Sequence, residues 1–387
     1  MPAARCVVDL ECDRTGGSIA QCDKYARRHS NFWRQTIPAL QIVEAWNGPG
    51  RRDGEITVVG PKDNAAHPSS EKHAFEHWYF DAHLDDGRIV VAMVQTRELV
   101  HRKPGVEIHV YSPDGQRREE IRQYRESDLT VSEESCDVRV AHNTARLVGE
   151  DDGKPVYRVS VSEGALGFDL TFTALLAPWM PGRGRTSYNH REFFAWVVGA
   201  PRAAVSGTLT VDGVTTEVTG RGYHDHNWGV GDMKRVIDKW YWGRLYTDDF
   251  TLVYAMVKTQ KKYGAHWSQP VMIAMGDRVV LSNGEVEMTE GPAVFDPVAD
   301  RTYPSWLQIR VPGSLDLKLT VRDIVHAHNL LEDVPLASSA LVKPLVNRLI
   351  GRPGYFRFRS DFTMTVTVDG EEYVRTGTTL HEMVALT

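Results

Sequence analysis

The sequence contains few cysteines and no long apolar run. Its 387 residues include four cysteines, and their spacing is not that of a zinc–thiolate cluster, so we expect free thiols at Cys6, Cys12, Cys22 and Cys136. No apolar run approaches the roughly 18–20 residues that a membrane-spanning helix needs. Charged residues interrupt the N-terminal segment, which leaves no apolar core for a secretory signal. From these absences we expect a cytoplasmic protein.

The chain also lacks a basic excess and the common phosphate-binding motifs. Its net charge is -6 and its pI is about 6.2, whereas nucleic-acid binding normally shows as a basic footprint. The sequence has no Walker loop, no G-x-G-x-x-G opening a helix, no G-x-S-x-G elbow and no H-E-x-x-H pair. These absences argue against nucleic-acid partners, kinases, Rossmann oxidoreductases, α/β-hydrolases and zincins. We expect no cofactor and no metal, which leaves acid–base chemistry in a shaped pocket, or binding alone.

Short alternating segments separated by turn dipeptides dominate the chain. Residues 106–111, 205–211, 315–321 and 362–368 alternate apolar and polar side chains, as strands with one packed face do. Asp-Gly and Asn-Gly pairs tolerate the positive φ angles of tight hairpins. Such pairs occur at Asp53-Gly54, Asp86-Gly87, Asp114-Gly115, Asp152-Gly153, Asp212-Gly213, Asn283-Gly284 and Asp369-Gly370. The pattern predicts a mainly β protein with few short helices.

Helical signal is sparse and confined to two stretches. Residues 18–34 form one candidate helix, and the basic, partly apolar stretch 336–350, interrupted by Pro344, forms another. The second stretch suits peripheral contact with a membrane surface or, more simply, capping of a barrel end. The segment Gly199-Ala200-Pro201-Arg202 interrupts the strand pattern. We therefore predict an N-terminal extension at 1–40 and two lobes at 41–200 and 201–387.

An internal repeat supports two related lobes. Trp78-Tyr79-Phe80 begins a strand that reaches an acidic turn, after which Ala92-Met93-Val94 follows. In the second half, Trp240-Tyr241-Trp242 leads to another acidic turn and then to Ala255-Met256-Val257. The matching order and spacing predict a duplication in which Trp78 and Trp240 occupy equivalent positions. Chance similarity between two amphipathic hairpins is the alternative.

Aromatic and titratable residues share one face of the segment 75–87. Side chains alternate along a strand, so one face carries Phe75, His77, Tyr79, Asp81 and His83, and the other carries Glu76, Trp78, Phe80, Ala82 and Leu84. The second set is typical of a core. The first set is typical of a barrel pocket, which is mostly apolar with a few placed polar groups. An exposed face with incidental histidines is the alternative.

A second cluster lies at 221–229, between Gly222 and Gly229, which allow close backbone approach. Two histidines at i, i+2 can chelate a metal, but the sequence does not indicate further ligands. A buried hydrogen-bonded network is the structural alternative. Asp225 is the candidate acid, its pKa tuned by the pocket and its hydrogen bonding set by one of the flanking imidazoles. One strand face carries His224, His226 and Trp228, and the other carries Tyr223, Asp225 and Asn227.

A third cluster, at 239–246, is rich in tryptophan and tyrosine. Trp240 and Trp242 share a strand face with Arg244, opposite Tyr241 and Gly243. The glycine leaves space beside the rings, which favours an aromatic wall lining a ligand cavity. A plain core strand is the alternative.

The WYFDA strand at 78–82 and the GYHDHNWG segment at 222–229 resemble the carotenoid 1,2-hydratase (hydroxyneurosporene synthase) family. That family belongs to a lipocalin-like group that also includes tocopherol-cyclase-like proteins and fungal Diels–Alderases. The resemblance covers about residues 40–385. It implies two packed lipocalin-like antiparallel β-barrel lobes, no cofactor, and a large apolar substrate of isoprenoid or polyketide type.

The resemblance also implies chemistry, in which a carboxylic acid protonates an alkene and water traps the resulting cation. Asp81 matches the aspartate of the first motif, but His77 stands where a second tryptophan often precedes Trp78. The candidate catalytic residues are Asp225, His224, His226 and Asp81. The candidate substrate-binding residues are His77, Trp78, Tyr79, Tyr223, Asn227, Trp228, Trp240, Tyr241 and Trp242.

Three functions are consistent with these residues. The first is a cofactor-independent enzyme that hydrates, cyclises or isomerises a C=C bond of a large apolar substrate. The second is a pericyclase on the same scaffold, which needs only shape and one or two hydrogen-bond donors. The third is a non-catalytic lipid- or pigment-binding protein. A buried carboxyl group in the pocket favours the first function, and a pocket without one favours the other two.

Overall fold

A computed structural model describes residues 42–98, 102–332 and 352–387. The predicted extension at 1–40, the candidate helices at 18–34 and 336–350, and the first three cysteines lie outside the described residues. The fourth cysteine, Cys136, is a buried free thiol.

The described residues are nearly all β. Helical structure consists of one four-residue α-helix, α1 (Met233–Val236), and short 3-10 turns at Pro61–Asn64, Glu126–Asp128 and Lys261–Tyr263. None of these helices, within the described ranges, has the length and apolar character needed to cross a membrane. The strands are β1 (Ala74–Leu84), β2 (Ile89–Arg97), β3 (Gly105–Tyr111), β4 (Arg117–Gln123), β5 (Leu129–Val131), β6 (Asp137–Val140), β7 (Asn143–Asp151), β8 (Lys154–Glu163), β9 (Leu166–Ala174), β10 (Arg185–Ser187), β11 (Phe193–Val211), β12 (Val214–Val230), β13 (Ile237–Tyr246), β14 (Phe250–Thr259), β15 (Trp267–Ser268), β16 (Val271–Met275), β17 (Arg278–Asn283), β18 (Glu287–Glu290), β19 (Ala293–Asp296), β20 (Arg301–Pro304), β21 (Trp306–Val311), β22 (Leu315–Asn329), β23 (Gly354–Val368) and β24 (Glu371–Ala385).

Most of the strands form two large antiparallel sheets with a similar strand order, and β19 and β20 form a separate two-stranded sheet. The first sheet has the order β4-β3-β2-β1-β12-β11-β9-β8-β7-β6-β5, and the second has the order β17-β16-β14-β13-β24-β23-β22-β21-β18. In each sheet the first strand lies between the second strand and the last strand. The first sheet curls so that β2 and β3 pack against β6 to β9. We call the two sheets the first lobe and the second lobe, and they confirm the mainly β, two-lobed fold class.

Side-chain alternation gives each lobe its own apolar interior. The first interior contains Trp78, Phe80 and Phe172, and the second contains Tyr241 and Phe356. Each fully buried large apolar side chain contributes about 1.5–3 kcal/mol to the free energy of folding. A third apolar cluster lies between the lobes and includes Trp179, Trp196, Tyr223, Val253 and Met272, with the half-buried rings of Tyr79 and Trp242 packed against it.

Five of the seven predicted turn dipeptides connect paired strands. Asp86-Gly87, Asp114-Gly115, Asp152-Gly153, Asp212-Gly213 and Asp369-Gly370 each lie between consecutive strands of one hairpin. At Asp212-Gly213 both residues have positive φ, 53° and 78°, which a two-residue hairpin turn of type I′ requires. The remaining two dipeptides join no hairpin, because Asn283 ends β17, which does not pair with β18, and Asp53 lies in an irregular segment.

The predicted lobe boundary at residue 200 falls inside β11. The first sheet continues through β12 to Val230, and the second begins at Ile237. The pairing of β11 with β12 shifts between Val197 and Ala200 and again between Ala200 and Ala203. Pro201, which lacks a backbone N–H, lies in this irregular stretch, so the break in the sequence pattern marks β-bulges rather than a strand end.

The repeated hairpins pair in the same register but present opposite faces. Tyr79 lies opposite Met93 in the first lobe, and Tyr241 lies opposite Met256 in the second. Trp78 nevertheless points into the interior of its lobe, whereas in the second lobe the interior position is taken by Tyr241. The two hairpins therefore occupy equivalent strand positions in their lobes. The set of inward-facing side chains is shifted by one residue between them, and such a shift exchanges the two faces of a strand.

Candidate functional site

Strand β12 carries two different sets of polar side chains on its two faces. Tyr223 and Asp225 point toward the second lobe, whereas His224 and His226 stack on the interior rings Phe80 and Trp78 of the first lobe. These are the faces that the alternation in the sequence predicts. The first set contributes to what we call the interlobe site, whose members are Tyr79, Asp81, Trp196, Tyr223, Asp225, Asn227, Trp242, Arg244 and Arg357.

Asp225 is a buried carboxyl group that contacts no cationic side chain among the described residues. Its side chain is held by three donors, since Trp196 Nε1 and the Tyr223 hydroxyl donate to Oδ2, both at 2.9 Å, and Asn227 Nδ2 donates to Oδ1 at 2.8 Å. The residue is 5% exposed. Burial and, to a smaller extent, the nearby Asp81 raise the pKa of Asp225 to about 7, against the opposing effect of the three hydrogen bonds. A carboxyl group in this environment is partly protonated near neutral pH.

Asp81 is also buried but forms an ion pair. Arg244 Nη2 donates to Asp81 Oδ1, and the Tyr79 hydroxyl donates to Oδ2 at 2.8 Å. Burial raises the pKa of Asp81, whereas Arg244 and Arg357 act to lower it. Because Arg244 is in β13 and Asp81 is in β1, this buried pair joins the two lobes.

Three aromatic rings lie side by side in the interlobe site. The ring centroids of Tyr223 and Trp242 are 5.2 Å apart, and those of Tyr79 and Trp242 are 5.8 Å apart, both in edge-to-face geometry. The Arg244 guanidinium lies 5.0 Å from the centroid of Tyr223. The indole Nε1 of Trp242 is buried and has no hydrogen-bond partner among the described residues. The site therefore combines an apolar wall with one free buried donor.

A second arginine extends the polar side of this wall. Arg357 Nη2 lies 3.3 Å from the Tyr79 hydroxyl, and Arg357 Nε donates to Glu382 Oε1 at 2.9 Å. Arg357 comes from β23 and Glu382 from β24. Neither residue is among those predicted from the sequence.

The histidines on the opposite face of β12 form a separate network. His224 Nδ1 donates to the Tyr79 carbonyl at 2.9 Å, and Asn64 Nδ2 donates to His224 Nε2 at 2.9 Å. Burial lowers the pKa of His224 to about 3. The expectation that His224 or His226 sets the hydrogen bonding of Asp225 is therefore wrong, because adjacent residues of a strand point to opposite faces.

His226 belongs to a cluster with Glu76 and His67, whose potential ligand atoms lie within 4.8 Å of one another. Burial acts to raise the pKa of Glu76, but hydrogen bonds from His226 and His67 lower it to about 2. Glu76 Oε1 accepts from His226 Nε2 at 3.2 Å and from the His67 backbone N–H at 2.6 Å, and Oε2 accepts from Thr96 Oγ1 at 3.0 Å. Both carboxylate oxygens already have protein donors, whereas Nδ1 of His67 and Nδ1 of His226 are buried without a hydrogen-bond partner among the described residues.

Two cavities adjoin these networks. One, of about 760 Å³, lies at an end of the first lobe and is lined by His67, Glu76 and Trp228. The other, of about 230 Å³, is lined by His83 and Arg244 and so borders the ion pair to Asp81. The second cavity therefore reaches the edge of the interlobe site.

The structure brings together some of the predicted residues and separates others. Tyr79, Asp81, Tyr223, Asp225, Asn227 and Trp242 meet between the lobes. His77 pairs with Asn227 in the ladder, and burial lowers the pKa of its imidazole to about 4. His224 and His226 lie outside the interlobe site, as do four of the predicted aromatic residues. Trp78 and Trp228 stack around His226. Tyr241 lies inside the second lobe, and Trp240 packs beside Phe75 and Ile237.

The sequence gives little signal for the partners that it missed. Trp196 lies in an apolar strand without neighbouring titratable groups, and Arg357 alternates with phenylalanines as any strand residue would. Arg244 is detectable, because it shares a strand face with two tryptophans. Trp196 and Arg357 become recognisable as site members only through contacts between distant parts of the chain.

Comparison with known proteins gives short but significant sequence matches. A hydroxyneurosporene dehydrogenase from Chlorobaculum tepidum is 40% identical over 68 residues, 16% of this chain and 18% of the relative. The quinolone epoxide rearrangement protein penF from Penicillium thymicola is 29% identical over 105 residues, 26% of this chain and 29% of the relative. The matched region thus spans less than a third of the length of either relative. The first match confirms the resemblance to hydroxyneurosporene-related proteins.

Solved structures share the fold over most of the chain. An AttH protein from Nitrosomonas europaea matches with a TM-score of 0.59 and 14% identity, over 89% of this chain and 100% of that chain. Kievitone hydratase from Nectria haematococca matches with a TM-score of 0.55 and 15% identity, over 89% and 98%. CghA, solved with the small molecule Sch210972, matches with a TM-score of 0.56 and 13% identity, over 84% and 94%.

The sequence pattern of the AttH-like family matches residues 112–335. This match spans more than half of the chain, including β12 with Asp225 and β13 with Arg244. The Nitrosomonas europaea protein that shares the fold of this chain also carries the AttH name. This protein therefore belongs to the AttH-like family.

Proposed function

We propose that this protein is a cofactor-independent enzyme that protonates a C=C bond of a large apolar substrate, of isoprenoid or polyketide type. The resulting carbocation adds water, is attacked by another C=C bond or loses a neighbouring proton, and the proton released at the end returns to Asp225. Asp225 is the proton donor in this proposal. The observation that carries it is the position of the Asp225 carboxyl group, buried between the lobes among aromatic rings, with a pKa raised to about 7.

The two buried carboxyl groups have environments suited to different roles. Asp81 is paired with Arg244, and a guanidinium contact favours the ionised form. Asp225 has only neutral hydrogen-bond donors, and the charge of Asp81 nearby favours its protonated form. Pairs of carboxyl groups whose pKa values are pushed apart are a recurrent basis for acid–base assignment. Asp225 is thus better suited to donate a proton, and Asp81 is better suited to hold the Arg244 guanidinium in place.

The aromatic wall supplies what an intermediate cation needs. Protonation of an isolated alkene leaves a carbocation, which must be stabilised without an adjacent nucleophile. Cation–π stabilisation is worth about 2 kcal/mol per desolvated ring, and the Arg244 guanidinium already lies over the rings of Tyr223 and Trp242 in this way. The Arg244 charge opposes a cation less because Asp81 neutralises it.

The named relatives support this reaction class. Kievitone hydratase is named for a hydration, and penF for the rearrangement of a quinolone epoxide. CghA was solved with a small organic molecule. Acid-initiated addition or rearrangement on an apolar substrate is consistent with these names and with the buried carboxyl group of this chain.

The test uses isoprenoid polyenes in heavy water, with product analysis by mass spectrometry. The wild type is expected to incorporate one solvent deuterium at carbon in the product. Asp225→Asn is expected to lower turnover about 100-fold or more, the scale of losing a positioned general acid, while polyene binding followed by tryptophan fluorescence changes little. Asp81→Asn is the matched comparison. A fully active Asp225→Asn beside an inactive Asp81→Asn would assign the acid role to Asp81.

A pericyclase is the second candidate function, and the two buried arginines favour it. Arg244 and Arg357 are both buried and lie beside Tyr79. Such donors, together with the unpaired Nε1 of Trp242, suit the polarisation of a carbonyl group on a folded substrate. This candidate predicts full activity in both Asp225→Asn and Asp81→Asn, no deuterium at carbon, and loss of activity in Arg357→Gln.

A further inference from the structure

Four arginines converge on the cavity of about 230 Å³ at the edge of the interlobe site. We call it the arginine cavity. No aspartate or glutamate lines it within the described ranges. Its charged or polar lining includes Arg88, Arg221, Arg244, Arg359 and His83.

The arginines differ in how far their charges are already matched. Arg244 is paired with Asp81, and Arg88 is paired with the exposed Asp86. Within the described part of the chain, the ion pairing of Arg359 is limited to a long contact of 3.6 Å with Asp323, which is itself substantially exposed. The Arg221 side chain makes no hydrogen bond or ion pair with the described residues. Each guanidinium carries five N–H donors, so Arg221 and Arg359 retain donors for a ligand.

These arginines shift the pKa of His83, the histidine that lines the cavity. Burial lowers the pKa of His83 well below its usual value, and Arg244, Arg357, Arg221 and Arg359 lower it further. The positive potential inside the cavity thus comes from guanidinium groups, which stay charged at any pH the protein tolerates. A cavity of this kind attracts an anion and disfavours a cation.

The arginine cavity lies next to the residues of the proposed reaction. Arg244 lines the cavity and also donates to Asp81, whose carboxyl group borders the aromatic wall at Tyr79. A molecule whose apolar body lies along that wall can place one end group beside Arg221 and Arg359. The apolar part and the end group would then be recognised by separate and chemically different surfaces.

We propose that the arginine cavity binds an oxyanion end group, a carboxylate or a phosphate, of an otherwise apolar substrate. Guanidinium groups form charge-assisted and often bidentate hydrogen bonds to both oxyanions. The inference rests on the proposed function for the location of the apolar part. The cavity itself is defined independently, by its arginines.

The experiment compares three probes with one chain and different end groups: farnesol, farnesoic acid and farnesyl phosphate. Binding is followed by tryptophan fluorescence at low salt. The acid and the phosphate are expected to bind about tenfold or more tightly than the alcohol, and the advantage is expected to shrink at high salt. The double variant Arg221→Gln/Arg359→Gln is expected to lose the advantage while its affinity for farnesol is retained. Arg310→Gln, an exposed arginine outside the cavity, is the matched control.

A second measurement does not depend on the chain of the probe. Phenylglyoxal modification, mapped by mass spectrometry, is expected to be slowed by pyrophosphate at Arg221 and Arg359 but not at Arg310. Equal affinity for the three probes without this protection, or an oxyanion advantage that persists in the double variant, would overturn the inference. Failure of the acid mechanism looks different, because Asp225→Asn would then keep its turnover while the oxyanion advantage remained.

Discussion

Asp225 and Asp81 illustrate how neighbours decide the state of a buried carboxyl group. Asp225 has three neutral donors, whereas Asp81 has a guanidinium. Desolvation acts on both in the same direction. The contact with Arg244 is what separates them, and it comes from a strand more than 160 residues away along the chain.

The acid role of Asp225 predicts a pH dependence of turnover. The donor must be protonated, so turnover is expected to be constant at low pH and to fall as pH rises above about 7. The measurement is a pH–rate profile of kcat between pH 5 and 9. A profile that instead rises through pH 7 would indicate a general base, and the residual turnover of Asp225→Asn should show no inflection there.

The same carboxyl group predicts a pH dependence of stability. Its native pKa of about 7 lies above its unfolded value, so its stabilising contribution is complete below the unfolded pKa and is lost as pH rises to about 7. Asp225→Asn removes this dependence. The difference in free energy of unfolding between wild type and variant is expected to change in favour of the variant by up to about 4 kcal/mol between pH 4 and 8. Urea titrations at several pH values measure it, and parallel curves would contradict it.

The cluster of His67, Glu76 and His226 predicts metal independence. Three protein donors already hold the two oxygens of Glu76. We therefore expect elemental analysis of the purified protein to find no stoichiometric metal, and we expect turnover to survive chelation. One zinc per chain that disappears in His226→Ala would contradict this and would make the cluster a metal centre.

The alternation of side chains along a strand predicted which face many of the individual residues occupy. It placed Tyr223 and Asp225 on one face of β12 and the two histidines on the other, as observed. The same alternation should have ruled out hydrogen bonding between Asp225 and its neighbouring histidines. Trp196 and Arg357 were not predictable, because their roles depend on contacts with residues 29 and 278 positions away.

At the scale of the element, β12 is a strand pressed closely against both neighbours. A Cβ at Gly229 would lie 2.3 Å from the Phe193 carbonyl oxygen of β11 and 2.8 Å from the Phe75 ring of β1, and one at Gly222 would lie 2.5 Å from the Phe172 ring. The glycines predicted to allow close approach thus do so, and they let the strand that carries Asp225 lie between β1 and β11.

Gly229→Ala is expected to destabilise the protein, because the added carbon meets backbone that cannot rotate away. Overpacking of this kind costs about 1–3 kcal/mol in the free energy of unfolding. Gly149→Ala is the matched control, because Gly149 is also in a strand, has no positive φ, and has nothing within 4 Å of the added carbon. Urea denaturation compares the two. Equal stability of both variants would show that β12 can move to make room.

The sequence predicted the hairpin turns more accurately than the boundary between the two lobes. Asp-Gly pairs identified five hairpins because the positive φ they tolerate is a local property. The boundary near residue 200 was misplaced because Pro201 interrupts the pattern at a bulge without ending β11. A local break in alternation cannot distinguish these cases, since pairing with β9 and β12 continues the strand beyond it.

At the scale of the whole molecule, two sheets of similar strand order meet through an apolar cluster and a few buried polar contacts. The repeated hairpin sequences predicted two lobes, and the pairing register of Trp78 and Trp240 with their partners agrees. The repeat did not predict that Trp78 lies in the interior of its lobe whereas Trp240 does not. A one-residue shift in the inward face turns the Tyr79 ring of one lobe toward the Trp242 ring of the other.

The Asp81–Arg244 pair predicts how strongly the lobes depend on each other. Both side chains are almost fully buried, so Arg244→Gln leaves the Asp81 carboxylate in a dry site without its cation. Removing one partner of a buried pair costs about 3–5 kcal/mol, so the free energy of unfolding is expected to fall by that order.

Two further variants separate the ion pair from general damage to the interface. Arg158→Gln, which breaks the exposed pair with Asp169, is expected to cost about 1 kcal/mol or less. The double variant Asp81→Asn/Arg244→Gln is expected to be more stable than Arg244→Gln alone, because it removes the unpaired charge. If the double variant shows the sum of the single losses, the two residues act independently, and the lobes are held together by the aromatic cluster rather than by the ion pair.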